Sequence, residues 1–127
     1  MLDDRTAARR ELDVVKNRLW DNRSNLAGWK SYLGHEPGAA ELPEYAAAAR
    51  RTDLSGLPPT WIGVGDIELF FNESRAYSQA LTEAGVKTTL DIVPGAPHAF
   101  ESLAAKTHLA TDYKARAHAW LHDELGA

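Results

Sequence analysis

The chain has 127 residues, 44% of them hydrophobic and 25% charged, and 18 acidic against 14 basic residues give a formal net charge of −4. This length suits one domain and the composition is that of a folded chain rather than a disordered one. With Arg9-Arg10 and Arg50-Arg51 as the sole clustered cations, no basic face is offered to nucleic acid or anionic lipid. Cysteine is absent, which excludes disulfides, thiolate catalysis and zinc-thiolate sites and suits a reducing, cytoplasmic setting. No run approaches the roughly 20 apolar residues of a membrane span, and Met1-Leu2-Asp3-Asp4-Arg5 is not a basic-then-apolar leader.

Thr6 to Trp20 is helix-compatible in composition, but Leu12, Val14, Val15, Leu19 and Trp20 form no clean stripe, so the segment reads as irregular or helical. Leu26, Trp29, Tyr32 and Leu33 do form one, with Asn22 or Ser24 as cap and Gly34 as stop, which predicts a short helix. Ala46 to Ala49 reads as a single helical turn in a long connection. Leu57-Pro58-Pro59 then launches Thr60-Trp61-Ile62-Gly63-Val64, an unbroken apolar run that predicts a parallel strand covered on both faces.

The loop Gly65-Asp66-Ile67-Glu68 follows. Asn72 is the expected cap of the next helix, with Glu73 in its first turn as a partner of the helix dipole. Tyr77, Ala80, Leu81 and Ala84 share a helical face, and Gly85 sits where a left-handed cap belongs. Val86 to Val93 is a second strand ended by the turn Pro94-Gly95. From about Thr107 to Leu125 a closing helix presents Leu109, Tyr113, Ala117, Trp120 and Leu121 as its apolar stripe. Strand, helix, strand is a parallel βαβ unit, so the fold class is α/β with flanking helices.

Side chains that act on ligands in a parallel sheet gather at the C-terminal ends of its strands. Asp66 and Glu68 follow the first strand and His98 the second, which presents an acid and an imidazole from adjacent loops. A carboxylate so placed fixes the tautomer of the ring and stabilises imidazolium while the ring moves a proton.

The residues Leu57-Pro58-Pro59-Thr60, Gly65-x-x-Glu68-Leu69-Phe70, Asn72-Glu73, Ala84-Gly85-Val86 and Pro94-Gly95-x-x-His98-x-Phe100 closely resemble the C-terminal half of the hormone-sensitive-lipase-like esterases. Met1 to Arg5 resembles the segment past a central strand of that fold, and Gly28-Trp29-x-x-Tyr32-Leu33-Gly34 the helix after it. The resemblance spans the whole chain and implies the C-terminal portion of a single α/β-hydrolase domain over residues 1 to 127. It makes His98 the general base and Glu68 the residue aligned with the family's acid, with Asp66 as the alternative. The family acid is usually aspartate, and Ala99 stands where glycine is frequent.

The family's nucleophile sits on a Gly-x-Ser-x-Gly elbow, and its oxyanion hole on an HGGG-type segment, both upstream of the matching region. None of Ser24, Ser31, Ser55, Ser74, Ser78 or Ser102 has glycines at both flanking second positions. The implied activity is cleavage of small acyl esters through an acyl-serine intermediate, without a cofactor and without a metal. The 127 residues alone are expected to be inactive. The alternative is an association module, or a fragment complemented by a separate N-terminal chain, with contact through Val86 to Val93 and exposed sheet edges. His118 and His122 are four apart, but Ala119 replaces the glutamate of the zinc-protease motif, so they read as solvated. Phe70, Phe71 and Phe100 lie in the two catalytic loops, as pocket lining or as packing.

Overall fold

The computed structural model describes residues 1–17 and 19–126. In chain order it contains α1 (Asp4–Ala8), a 3-10 turn (Arg10–Val14), α2 (Asn22–Leu33), a second 3-10 turn (Ala48–Arg50), β1 (Thr60–Gly65), α3 (Phe71–Glu83), β2 (Thr88–Val93), α4 (Phe100–Leu103) and α5 (His108–Leu125). β1 and β2 pair in parallel, from Thr60 opposite Thr88 to Gly65 opposite Val93, with α3 as the crossover. The expected βαβ unit is therefore present.

α3 ends in a Schellman cap: Gly85, at φ 81°, donates its N–H to the Thr82 carbonyl, and Val86 donates to Leu81, each at 3.0 Å. The cap turns Val86 inward. It joins Leu54 and Leu81 in a buried cluster to which Ile62, Tyr77, Ala80 and Ala84 add, so the apolar face read from the α3 sequence does meet the sheet. Val86 thus belongs to the cap, and the strand starts at Thr88.

Other expectations shift. α3 begins after Phe70 without a side-chain cap, and Asn72 lies inside its first turn. Asp21 caps α2, its carboxylate accepting from the Ser24 N–H, and Gly34 at φ 75° ends it. Asn22 is instead fully buried, its Nδ2 donating to the carbonyls of Ala7 and Arg9 and, at 2.8 Å, to the Asp13 carboxylate. β1 is buried at Val64 and Gly65 but half-exposed before them. The inward side of α5 runs through Ala110, Tyr113, Ala117 and Trp120, whereas Leu109 and Leu121 face outward at 45% and 49% exposure. Ion pairs hold α5 to the sheet, Arg116 to Asp91 at 2.8 Å and Lys87 to Glu124.

Thr6 to Trp20 holds the end of α1 and the 3-10 turn Arg10–Val14 and is otherwise irregular, and Arg18 lies outside the described residues. The first 59 residues have a small apolar cluster of Ala7, Trp29 and Ala47, with Leu26, Leu33 and Leu42 against it, and are tied across long sequence distances by polar anchors. Asp4, fully buried, accepts from Arg50 Nε at 2.8 Å and from the Gly38 N–H at 2.6 Å. Glu73 on α3 accepts from the Leu2 N–H at 2.7 Å and the Thr6 hydroxyl at 2.5 Å, tying the start of the chain to the βαβ unit. The first-turn position expected of Glu73 holds, but its role is this buried tether. Among the described residues, no helix is long and apolar enough to cross a membrane.

Candidate active site

β1 and β2 run in the same direction and end in register, so their C-terminal loops emerge side by side. The first loop carries Asp66, Ile67 and Glu68 before α3 begins. The second turns at Pro94-Gly95, with Gly95 at φ 70°, and delivers His98 just before α4.

His98 Nδ1 lies 2.8 Å from Glu68 Oε2. The Glu68 side chain is 6% exposed and that of His98 35%. A carboxylate can only accept here, so in the neutral ring the proton sits on Nδ1 and Nε2 keeps its lone pair. The structure does not bring Asp66 to that nitrogen: Asp66 Oδ1 accepts from the Gly95 N–H at 2.7 Å.

Aromatic rings fix the imidazole from two directions. Phe70, buried at the start of α3, meets it edge-on at 5.5 Å between centroids, and Trp20 lies tilted against it at 6.2 Å. Phe100 is buried against Tyr113 instead, and Phe71 lies under the Arg75 guanidinium. No local sequence signal marks Trp20, because its segment lacks periodicity. Leu19 takes φ 74° directly before it, a left-handed turn that no helical or strand pattern forecasts.

Ala99, directly after His98, also sits in the left-handed region, at φ 58° and ψ 22°. A side chain there costs about 1–2 kcal/mol, which accounts physically for glycine at this position in the resembled family.

Beside the pair is a cleft of about 250 Å³ whose lining includes Gly65, Glu68, Phe70, Ser74, His98 and Tyr113. Burial, then the carboxylates of Glu101 and Asp91, push the Tyr113 phenol up, so it stays protonated as a donor. Ser74 is buried within α3, and the hydrogen bond found for the His98 ring among the described residues goes to Glu68. A larger groove of about 740 Å³ lies along residues 40–57 and contains neither Glu68 nor His98. His118 and His122 are exposed on α5, and no cluster of three histidine or acidic side chains suited to a metal occurs among the described residues.

The parallel βαβ unit with its flanking helices is α/β-hydrolase architecture. A family model described as alpha/beta hydrolase fold matches residues 1–102, and the chain belongs to that family. The chain is 32% identical over 80 residues to the carboxylesterase NlhH of Mycobacterium tuberculosis, a match covering 63% of this chain and 25% of that protein. Among solved structures it superposes on the esterase LipW from Mycobacterium marinum with a TM-score of 0.83 and 36% identity, covering 98% of this chain and 38% of that one. A bacterial heroin esterase gives 0.80 and 30%, over 92% and 38%. An esterase of the bacterial hormone-sensitive lipase family, at 22% identity and a TM-score of 0.79, shares the fold. The chain therefore spans a quarter to two-fifths of the length of these relatives.

Proposed function

We propose that these residues supply the acid and the base of a serine-type carboxylic-ester hydrolase, with the nucleophile and oxyanion hole contributed by sequence outside the 127 residues. The observation that carries this reading is the buried Glu68 carboxylate held 2.8 Å from His98 Nδ1 at the C-terminal edge of a parallel sheet. The lack of any Gly-x-Ser-x-Gly in the sequence and the fraction of each esterase that the chain spans support the second half of it.

His98 Nε2 takes the serine proton as the hydroxyl attacks the ester carbonyl, and the imidazolium then protonates the departing alcohol. Glu68 holds the ring in the Nδ1–H tautomer and stabilises its positive form. Its burial strengthens that stabilisation, because little water screens the pair. The same ring then activates the water that releases the acid, and the cycle uses no cofactor. The substrate is a small acyl ester.

The test joins the chain to the N-terminal portion of LipW in place of the matching region and assays p-nitrophenyl acetate. The chain alone should not turn over the ester, and the folded hybrid should, with the activity lost in His98→Ala. A hybrid that elutes as a folded protein but is inert would contradict the assignment. Turnover by the isolated chain that vanishes in His98→Ala would contradict the external nucleophile.

A second reading, a module that associates with itself or with a separate N-terminal chain, is favoured by one specific feature. Each strand of the two-stranded sheet has an unpaired edge among the described residues, with Ile92, Leu109, Leu121 and Leu125 exposed. Size-exclusion chromatography of the isolated chain should show self-association, and a concentration-independent monomer would contradict it.

A further inference from the structure

We infer that Asp66 is a positioning residue that holds the Glu68 loop and the His98 turn in register, an inference that rests on the hydrolase reading of the pair. The parallel ladder gives its last rung where the Asp66 N–H donates to the Val93 carbonyl at 3.3 Å. Beyond that rung the two strands pass into separate loops, and among the described residues no further backbone hydrogen bond joins the two loops that carry the functional side chains.

The Asp66 carboxylate bridges this gap. Its Oδ1 accepts from the Gly95 N–H at 2.7 Å, joining a point two residues before Glu68 to a point three residues before His98. Gly95 is in the left-handed conformation at φ 70°, which few residues adopt and which orients its N–H within the turn. The approach is close because Gly65 has no side chain: a Cβ there would lie 1.9 Å from the Ala96 carbonyl oxygen. Strand end and turn thus pack backbone on backbone, with Asp66 as the clasp.

The imidazole is served by Glu68, so Asp66 acts through geometry rather than through its charge on His98. This separates it from the triad acid, since a clasp needs an acceptor oxygen and not a negative charge. Asparagine keeps the acceptor and loses the charge.

The test is proton NMR of the 127-residue chain, following the downfield Nδ1–H resonance of an imidazole that donates to a carboxylate, with thermal unfolding as a check of the fold. Asp66→Asn should keep the resonance. Asp66→Ala should broaden or abolish it at an unfolding temperature close to that of the unaltered chain, and Asp66→Ser, too short to reach Gly95, should do the same. Glu68→Gln should abolish it. Loss in the folded Asp66→Asn variant, or an unchanged resonance in Asp66→Ala and Asp66→Ser, would overturn the positioning role. Absence of the resonance in the unaltered chain would instead count against the Glu68–His98 pair itself, so the two readings fail separately.

Discussion

Residues 1–59 and residues 60–126 balance apolar and polar contacts differently. The second region is a βαβ unit with a buried apolar cluster around Leu81, and its site lies at the sheet edge. The first has one helix longer than five residues and a smaller apolar cluster of Ala7, Trp29 and Ala47, and adds to it buried polar groups reaching across long sequence distances, Asp4 to Arg50 and Glu73 to Leu2 and Thr6. Apolar burial is non-directional and tolerates adjustment, whereas a buried charge without its partner is costly. A polar truncation in the first region should therefore destabilise the chain at least as much as a large cavity in the second.

The largest expected effect is that of Asp4→Ala. It removes the acceptor of Arg50 and of the Gly38 N–H at a fully buried position and should cost about 4 kcal/mol in urea unfolding followed by circular dichroism. Leu81→Ala, which opens a cavity where the side chain is 1% exposed, should cost about 3 kcal/mol. A loss below 1 kcal/mol for Asp4→Ala beside a full loss for Leu81→Ala would break the comparison.

Asp4 and Glu73 should show opposite pH dependence. Burial alone would raise the Asp4 pKa, but Arg50 and the Gly38 N–H outweigh it and hold the group below its ordinary value. Its contribution is therefore present above the ordinary aspartate value of 3.8 and lost as pH falls through the lower folded value. Glu73 is pushed up by burial, against the opposing bonds from Thr6 and Leu2. Its contribution is full below the ordinary glutamate value of 4.5 and declines as pH rises through the higher folded value. Glu73→Gln should flatten that decline in a stability–pH series, and an unchanged slope would contradict the burial argument.

The smallest effect belongs to the second region. Ala99→Gly should stabilise the chain by a net amount of about 0.5–1 kcal/mol, since relief of the left-handed strain exceeds the entropy that glycine adds to the unfolded state.

Much of the second region was legible because its signals are local. Leu57-Pro58-Pro59, the apolar run after it, the α3 stripe and Gly85 each act within a few residues. The positions of Glu68 and His98 followed from strand ends and from family resemblance. What escaped was set at long range or by competition between neighbours. Asp21 took the cap that Asn22 was expected to fill, because Asn22 is drawn into bonds with Ala7, Arg9 and Asp13. The α5 stripe keeps Tyr113, Ala117 and Trp120 inward as expected but takes in Ala110 and turns Leu109 and Leu121 out, with Tyr113 fitting over Gly63, where a Cβ would lie 2.3 Å from its hydroxyl oxygen. Trp20 beside His98, Asp66 on Gly95 and Asp4 on Arg50 are contacts between segments that share no pattern.

The proposed chemistry turns on the orientation of one ring. Long-range proton–nitrogen NMR of the histidine side chains reads directly which nitrogen of neutral His98 carries the proton. The Glu68 bond predicts Nδ1–H in the unaltered chain and a shift toward Nε2–H in Glu68→Ala. An Nε2–H tautomer in the unaltered chain, or one indifferent to Glu68→Ala, would contradict the pairing on which the proposed chemistry depends.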